Sequence, residues 1–555
     1  MAWVLAACVV LTLVSYGADL PRSFSNDDYR FLDRSLWTPF ARLFDPATSL
    51  VGWYRPWSRE LHFWALTRWF GPEPVAFHAA NLLLWFGVLA LALELLRRLA
   101  GERPAALAPL GAFATSAWGL YPVWASCSQD LWYLLFGLAF LIAFHARRTA
   151  AAAAALLMAF MSKETALLLL PIAGWFELVR PRPERNTRAM WLALAGVTVL
   201  WMVLHPSVGG RWLYGSNVRF TAAGPERFGL GSLRTWLAVV NLDRALDLRV
   251  LTPLRALEIV AWAGGLGAVA WAVTRWSGVK GPGSREHRAL RTGLGWWAVA
   301  RLPAAIPVLQ WHSYYGWAGL CGAWLAIAAA CAGRPRVLLV LLVAVAALRP
   351  VAARSFSDDW TREEYQRAGA RRLTHLRAAL AAREPSPARH TRLFFAGLPG
   401  GTGFRSDPRY SAALCVWYRD PGLVGGLFSD YLPRTAADPA GPDHFYVLKG
   451  DTLLLPLAGT PGCEEPGLRG EPLWRIAEEQ VASLLADHGE WPRAAGGFAR
   501  LQSAWPDTAR HAFNLGVALA RLGRGDEAAR WLDRSDSLAG SPPSAGRGYL
   551  SRFGQ

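Results

Sequence analysis

Two adjacent carboxylates, Asp27 and Asp28, follow the first hydrophobic segment of the chain, within SNDDYRFLDRS at residues 25–35. A carboxylate that faces an open site can take a proton from a hydroxyl group, and a pair of carboxylates can also bind a divalent cation. The alternative is structural, because Asn26 or Asp27 could instead cap a helix that begins near Asp28. The elements around the pair therefore decide which role it has.

Three further charged residues have the chemistry to bind a phosphate or an acceptor. Arg55 lies in the motif YRP, and its planar guanidinium can hold two phosphate oxygens, although it could also pair with lipid headgroups. Lys163 and Glu164 lie in SKET, at a turn between two short apolar segments, where an ion pair is costly unless it has a role. They either bind a phosphate and an acceptor respectively or pair with each other.

Arg301 lies inside the apolar stretch TGLGWWAVARLPAAIPVLQ. An arginine in such a segment usually faces a polar cavity, and the alternatives are a side chain that snorkels to the cytoplasmic surface or a span placed wrongly. His312, Tyr314 and Tyr315 follow the same segment and could line a site with imidazole and hydroxyl donors. Aromatic residues also gather at membrane interfaces without any catalytic role.

The composition is that of a membrane protein. The 555 residues are 53% hydrophobic and 18% charged, whereas soluble domains carry roughly 25% charged residues. The net charge of +17 is spread between apolar blocks and forms no basic domain, so membrane orientation explains it better than nucleic-acid binding. The six cysteines form no CxxC pair, which disfavours zinc and redox motifs, and only Cys415 and Cys463 could pair, if their domain is extracytoplasmic.

Apolar blocks divide the first 350 residues into about eleven candidate spans, since a bilayer core needs about 20 apolar residues per helix. The first block reads as an uncleaved signal anchor. We predict spans near 2–18, 75–96, 105–123, 131–146, 149–161, 165–179, 189–205, 256–274, 292–310, 315–332 and 337–349. The predicted fold class is therefore mainly α, a polytopic helical membrane protein.

Lys and Arg in alternate short loops indicate a cytoplasmic N-terminus. The loops on that side, such as RRLAGERP and RPRPERNTR, are basic, whereas YPVWASCSQD and WHSYY on the opposite side contain no Lys or Arg. Two long external loops follow, at about 19–74 and 206–255. The first, which contains Asp27 and Asp28, is dense in Trp, Phe and Arg, a pattern typical of segments that lie in the headgroup plane. Everything after about residue 350 is then external.

The external remainder is predicted to contain two soluble parts. Residues 351–475 begin with a helix and continue with short strands in TRLFFAGLPGG and DHFYVLKGDTLLLPL, which favours a small α/β module. Residues 476–555 contain an internal repeat with an offset of about 34 residues, in which Gly489 aligns with Gly523 and Ala494 with Ala528. This tail resembles about one and a half tetratricopeptide repeats, which implies packing or binding of a protein partner.

The order of the motifs resembles the GT-C superfamily of polytopic glycosyltransferases. A hydrophobic helix is followed by an external loop with paired acidic residues, then YRP and an FG…FH…N stretch, then SKETALLLLP and RLPAAIPVLQWHSYYGW. Together with the repeat tail, the chain is similar to the O-mannosyltransferase-like branch. The resemblance covers about residues 1–350 and the tail.

The resemblance implies an inverting transfer of a sugar from a polyprenyl-phosphate or polyprenyl-diphosphate donor to an external acceptor, which is a protein, a glycan or a lipid. Asp27 or Asp28 is then the base, with Asp28 favoured because Asp27 is the better placed helix cap, and the other orients the acceptor or binds a metal. Arg55, Lys163, Glu164 and Arg301 would bind substrate, as would His312, Tyr314 and Tyr315. We expect no metal cofactor, with Mg²⁺ or Mn²⁺ only for a diphosphate donor.

The expected location is a bacterial inner membrane, with the C-terminal domain in the periplasm. Two other functions stay open at this stage, a multi-span transporter or flippase and a membrane-anchored repeat scaffold. The transporter is disfavoured because repeated halves with broken helices are not evident. Motifs for ATP hydrolysis, zinc proteolysis and a hydrolase nucleophile, GxxxxGK[ST], HExxH and GxSxG, do not occur in the sequence.

Overall fold

The computed structural model describes residues 2–48, 53–209, 238–241, 284–300, 316–353, 362–398, 404, 411–450, 452–542 and 545–551. The chain divides into two compact units, Met1–Ala368 and Gly369–Gln555, which are described separately. Arg301, His312, Tyr314 and Tyr315 lie outside the described residues, as do the predicted span at 256–274 and most of the second long loop.

The described part of the first unit consists of helices. In chain order they are α1 Ala2–Tyr16, α2 Asp27–Trp37, α3 Phe40–Leu43, α4 His62–Phe70, α5 Pro74–Ala100, α6 Glu102–Ala114, α7 Leu120–Val123, α8 Ser128–His145, α9 Thr149–Phe160, α10 Leu169–Val179, α11 Arg188–Leu204, α12 Arg285–Ala300, α13 Trp317–Ala330, α14 Pro335–Ala353 and α15 Glu363–Arg383, the last of which continues into the second unit. A π-helical turn, Pro56–Leu61, leads into α4.

Several of these helices can cross a bilayer. By length and composition, three segments of the described chain are long and apolar enough: Ala2–Asp19, Pro74–Ala100 and Ala125–His145. Three shorter apolar helices are Thr149–Phe160, Arg188–Leu204 and Trp317–Ala330. The chain is therefore a membrane protein, and the total of about eleven spans stays a prediction.

The segment at 105–123, predicted as one span, is interrupted at Thr115. Helix α6 ends there because side chains take the carbonyls that a continuing helix would use. The Thr115 hydroxyl donates to the carbonyl of Ala112 at 2.7 Å, and the Trp118 indole donates to that of Phe113 at 2.7 Å. Short helical turns then connect α6 to α8 and bring the segment 125–127 beside the first long loop, where Ser126 contacts Asp28.

The helices of the first unit pack closely where glycines face each other. A Cβ on Gly322 of α13 would lie 2.9 Å from the carbonyl oxygen of Gly293 on α12, and a Cβ on Gly293 would lie 2.5 Å from the carbonyl oxygen of Gly322. Such contacts let two helix backbones approach without side chains between them. Nearby, the Trp85 and Trp118 rings stack at 4.9 Å in the same apolar core.

The second unit contains a four-stranded sheet. Its strands are β1 Arg392–Ala396, β2 Val424–Leu427, β3 Asp443–Lys449 and β4 Leu453–Leu457, in the spatial order β2-β1-β3-β4. Strand β1 is parallel to β2 and β3, and β3 pairs with β4 in antiparallel register. Three strands lie within the two predicted segments. Strand β2 was not predicted, because its sequence VGGL has little β propensity.

Helices flank and follow this sheet. They are α16 Ala412–Tyr418, α17 Pro472–Asp487, α18 Trp491–Ala504, α19 Ala509–Arg521, α20 Gly525–Ala539 and α21 Ala545–Ser551. The second of these, α17, ends just before Gly489, the first aligned residue of the predicted repeat, and α17–α18 and α19–α20 form two helical hairpins. A Cβ on Gly516 would lie 2.8 Å from the side chain of Leu532, which shows why α19 and α20 need a glycine at this contact. Assignment to the tetratricopeptide family stays a prediction.

Cys415 and Cys463 are both buried in the structure. The Cys415 thiol donates to the carbonyl of Leu423 at 3.4 Å. The conditional disulfide between the two residues is therefore not present.

Replacing Gly322 with Ala is expected to destabilise the first unit. The new methyl group meets backbone atoms of α12 that cannot move aside, so the overpacking is expected to cost about 1–3 kcal/mol. Gly196→Ala on α11 is the matched control, because a Cβ there meets nothing within 4 Å. Thermal unfolding of the two detergent-purified variants checks this, and equal midpoints would contradict the close packing of α12 and α13.

Candidate functional site

Helix α2 carries the paired carboxylates, and its start is fixed by contacts from α15. Asn26 occupies the N-cap with φ near 50°, and Asp27 is the first helical residue. The Gln366 side chain of α15 accepts hydrogen bonds from the Ser25 hydroxyl at 2.7 Å and from the Asn26 amide at 2.8 Å. These bonds hold the turn that sets which way each aspartate points.

Asp28 points into the protein and uses both carboxylate oxygens there. Its Oδ1 accepts from the backbone N–H of Ser126 at 2.7 Å and from the Ser126 hydroxyl, and its Oδ2 accepts from the backbone N–H of Ser25 at 3.0 Å. The residue is buried. Burial raises the pKa of Asp28 to about 7, although the hydrogen bonds from Ser126 and Ser25 act in the opposite direction.

Asp27 faces away from this contact. Half of its side chain is accessible, and Arg30 lies 3.9 Å away at the next turn of the helix. Burial nevertheless raises the pKa of Asp27, while the guanidinium groups of Arg30, Arg55 and Arg59 act in the opposite direction. The charges of Arg55 and Arg59 reach this half-exposed carboxyl group, and we call its surroundings the recess.

Arg55 and Glu164 form a pair at this recess. The Arg55 Nε donates to Glu164 Oε2 at 2.8 Å, and its terminal nitrogen lies 2.6 Å from the same oxygen. His205, at the end of α11, places its Nε2 3.4 Å from the other carboxylate oxygen of Glu164. The Ser207 N–H donates to His205 Nδ1 at 3.2 Å, so Nε2 is the nitrogen that carries a proton toward Glu164.

The electrostatic result is that Glu164 stays ionised. Burial raises its pKa, but Arg55 and His205 outweigh burial and hold the pKa of Glu164 at about 2. A fixed negative charge then orients the Arg55 guanidinium at every physiological pH. The alternative in which Lys163 and Glu164 pair with each other is wrong, because Glu164 pairs with Arg55.

Lys163 pairs instead with Asp130, at the start of α8. The Lys163 Nζ donates to Asp130 Oδ1 at 2.5 Å, and both side chains are largely buried. Gln129, the preceding residue, accepts from Arg55 at 2.6 Å and donates to the carbonyl of Ser126 at 3.0 Å. The start of α8 therefore links Arg55 and Lys163 to the serine that binds Asp28.

The π-helical turn that follows Arg55 is attached to the same elements. The Ser58 hydroxyl donates to the carbonyl of Ser162 at 2.6 Å, and the Trp57 N–H donates to that of Met161 at 3.1 Å. Arg59, in this turn, is buried and contacts Glu60, whose other oxygen accepts from Arg34 of α2 at 2.8 Å. These bonds fix the first loop to the turn that carries Lys163 and Glu164.

The structure thus brings together five of the residues predicted from the sequence: Asp27, Asp28, Arg55, Lys163 and Glu164. The prediction missed Ser126, Gln129, Asp130, Arg59 and His205, which hold them. The stretch SCSQD could have indicated some of these residues. Its last three residues are polar and begin an apolar segment, where polar side chains need partners. Nothing about Arg301, His312, Tyr314 or Tyr315 follows from the described residues.

The acidic groups of the site do not form a metal cage within the described chain, where no cluster of three His, Cys, Asp or Glu residues is suitably close. Asp28 uses its oxygens on Ser126 and Ser25, so the two adjacent aspartates do not face one ligand together. The expectation that the chain needs no metal stays a prediction.

Comparison with protein-family models and with curated proteins finds no match. Two solved structures are similar in fold. One is ArnT from Cupriavidus metallidurans bound to undecaprenyl phosphate, with 14% identity over 80% of this chain and 93% of that chain and a TM-score of 0.48. The other is the Archaeoglobus fulgidus oligosaccharyltransferase tethered with an acceptor peptide, with 12% identity over 77% of this chain and 63% of that chain and a TM-score of 0.37.

At TM-scores below 0.5 the matches assign no role to individual residues of this chain. Those roles rest on the contacts described above.

Replacing Glu164 with Gln is expected to change how stability depends on pH. The native pKa of Glu164 is depressed, so its contribution is present above the unfolded pKa of about 4.3 and is lost as the pH falls toward about 2. The free energy of unfolding of the variant should be roughly 2 kcal/mol lower at neutral pH, and it should fall less steeply as the pH is lowered. Thermal unfolding between pH 2 and 7 checks this against Glu73→Gln, an exposed control at the start of α5; parallel curves for wild type and Glu164→Gln would refute it.

Proposed function

We propose that the chain is a membrane glycosyltransferase that moves a sugar from a polyprenyl-phosphate or polyprenyl-diphosphate donor to an external acceptor, with inversion at the anomeric carbon. One observation carries the proposal. Asp27, on the loop after the first span, is an accessible carboxylate in a recess that the Arg55 charge also reaches. A proton acceptor beside a fixed cation is what this transfer requires.

Asp27 is the proposed base. A hydroxyl group is a poor nucleophile, so a carboxylate must take its proton as the bond to the leaving group breaks. Burial raises the pKa of Asp27 and so makes the ionised carboxylate a stronger base, while the nearby arginines limit the rise. One displacement with one base inverts the anomeric configuration. The sequence favours Asp28 as the base on the ground that Asp27 caps the helix. That ground is wrong, because Asn26 occupies the N-cap.

Arg55 is the proposed cation for the leaving phosphate. Negative charge grows on that phosphate in the transition state, and preorganised cations stabilise it without moving. Glu164 and Gln129 hold the Arg55 guanidinium from two sides, which removes most of its side-chain freedom before a substrate binds. Lys163 is held by Asp130 in the same part of the protein and supplies a second fixed positive charge.

The surface of the first loop suits a lipid-linked donor. Helix α4 ends with Trp69 and Phe70, which are 72% and 58% exposed, and Trp37 and Phe40 on the preceding helices are also exposed. Exposed aromatic side chains beside arginines are typical of segments at the membrane–water interface. A donor whose phosphate lies at the headgroup level would present its sugar at this depth.

The solved structures that resemble the chain contain ligands of the proposed classes. The ArnT structure contains undecaprenyl phosphate, and the oligosaccharyltransferase structure contains an acceptor peptide. For this chain the proposed acceptor is a protein, a glycan or a lipid. The proposal also includes a protein partner that binds the helical hairpins of the tail. It places the chain in an inner membrane, with the C-terminal domain on the external side.

Replacing Asp27 with Asn should abolish transfer and leave the fold intact. Loss of a general base typically reduces a rate by about 10²–10⁴-fold. The contact of Asp27 with Arg30 at 3.9 Å is half exposed, so its loss should change stability little. The assay incubates purified protein with radiolabelled polyprenyl-linked sugars and a membrane acceptor fraction, and measures the label transferred. Asp45→Asn, a partly exposed aspartate of the same loop, is the control.

Asp28→Asn gives the complementary result. It places an amide against two backbone N–H groups, so it should lower the thermal midpoint, whereas Asp27→Asn should not. A stable, active Asp27→Asn protein would eliminate Asp27 as the base. Absence of transfer from every donor by the wild-type protein would overturn the proposed function itself.

A further inference from the structure

The second unit contains a cavity of about 670 Å³ between the sheet and the first helical hairpin. Pockets for small ligands commonly occupy roughly 300–1,000 Å³. The walls come from the chain before β3 and its first residues, the turn after β4, and the N-terminal half of α18. The lining residues are Pro433, Arg434, Gly441, Pro442, Asp443, His444, Ala458, Gly459, Glu490, Pro492, Arg493, Gly496 and Arg500.

At one end of the cavity, three arginines surround a single carboxylate. Asp443 is approached by Arg434 at 2.9 Å, by Arg493 at 3.7 Å and by Arg392, whose Nε donates to it at 2.7 Å. Glu490 offsets part of this charge through its contact with Arg493 at 3.0 Å. The guanidinium groups are held in fixed positions, and their positive charge exceeds that of the carboxylates around them.

Arg500 lies at the other end of the cavity. Its Nε and one terminal nitrogen donate to Glu478 at 2.9 and 2.6 Å, and Glu478 is fully buried beneath it. The charged residues that line the cavity are Arg434, Arg493 and Arg500 against Asp443 and Glu490, which is three positive groups against two negative ones, and Arg392 and Glu478 are not part of the lining. A fourth carboxylate, Glu464, is exposed to solvent near Arg500.

Apart from the charged side chains and His444, the walls consist of small residues, namely three prolines, one alanine and three glycines. None of the described lining residues is a large apolar side chain, and three of them are glycines whose backbone forms the surface. Gly459 adopts a φ of +80°, which a side chain would strain. The prolines offer flat apolar patches for the face of a sugar ring, and the charged side chains can hydrogen-bond with the hydroxyl groups at its edge.

We propose that this cavity binds a saccharide of one to three units that carries a carboxylate or phosphate group. The planar guanidinium groups of Arg493 and Arg500 match the paired oxygens of such an anion, and Asp443, Glu490 and backbone carbonyls accept from the sugar hydroxyls. This binding site belongs to the second unit and is independent of the proposed transfer site.

Calorimetric titration of the full-length protein in detergent tests the proposal. The probes are trigalacturonate, glucose 6-phosphate, uncharged maltotriose and inorganic phosphate. One or both acidic saccharides should bind, and which one binds identifies whether the anion is a carboxylate or a phosphate. Maltotriose and inorganic phosphate should each bind at least about tenfold more weakly than that saccharide. Maltotriose lacks the anionic group, and inorganic phosphate lacks the sugar hydroxyl groups.

Variants link the binding to the cavity. Arg493→Gln and Arg500→Gln should each weaken binding by roughly tenfold or more. Gly496→Phe should abolish it, because a Cβ at this helical position lies 3.6 Å from Arg500, an ordinary contact, and the larger ring then fills the cavity. Arg524→Gln is the control, since Arg524 is half exposed on α20 and contacts Glu527.

Two outcomes overturn the proposal. The first is that neither acidic saccharide binds better than maltotriose and inorganic phosphate. The second is that Gly496→Phe, shown to be folded by its thermal midpoint, binds as tightly as wild type. Asp27→Asn should bind normally, so loss of transfer in that variant and loss of binding in the cavity variants are separable results.

Discussion

The site depends on the hydrogen bonds between Asp28 and Ser126. These residues are 98 positions apart, and their contact attaches the first long loop to the residues just before α8. A buried carboxylate is unfavourable unless donors satisfy it, and here two backbone N–H groups and one hydroxyl group do so. With Asp28 held in this way, the N-terminus of α2 has one orientation, and Asp27 on the adjacent helical position faces the recess.

A second set of contacts gives the recess its charge. Burying the Arg55 guanidinium without a partner would cost free energy. The negative charge of Glu164 beside it offsets that cost. Gln129 connects this pair to Ser126, so that the loop with Asp27, the arginine and the start of α8 share one hydrogen-bond network. Networks of this kind restrict side-chain motion more than separate pairs do, which suits a site whose cations must be in place before charge develops.

The sequence predicted the elements of this arrangement better than their connections. Motifs on three short segments identified Asp27, Arg55, Lys163 and Glu164, because charged residues beside apolar blocks are rare enough to be noticed. The partners of those residues were not predictable: Arg55 meets Glu164 109 positions away, and Lys163 pairs with Asp130 instead of its neighbour. The break at Thr115 was also not predictable. The donors that end the helix belong to Thr115 and Trp118, and neither residue interrupts the apolar pattern of the segment. Strand β2 was missed because VGGL carries no strand signal of its own.

Adjacent acidic residues pose a particular problem for inference from sequence. On a helix, successive side chains differ by about 100° in direction, so one of two neighbouring aspartates can be buried while the other is accessible. Which of them is accessible depends on the phase of the helix, and the phase of α2 is set by Gln366 and Ser126, far away in the chain. The choice between Asp27 and Asp28 therefore could not be made from capping preferences. The proposal of Asp27 as the base rests instead on the contacts that bury the Asp28 carboxylate, and these contacts position the helix that carries Asp27.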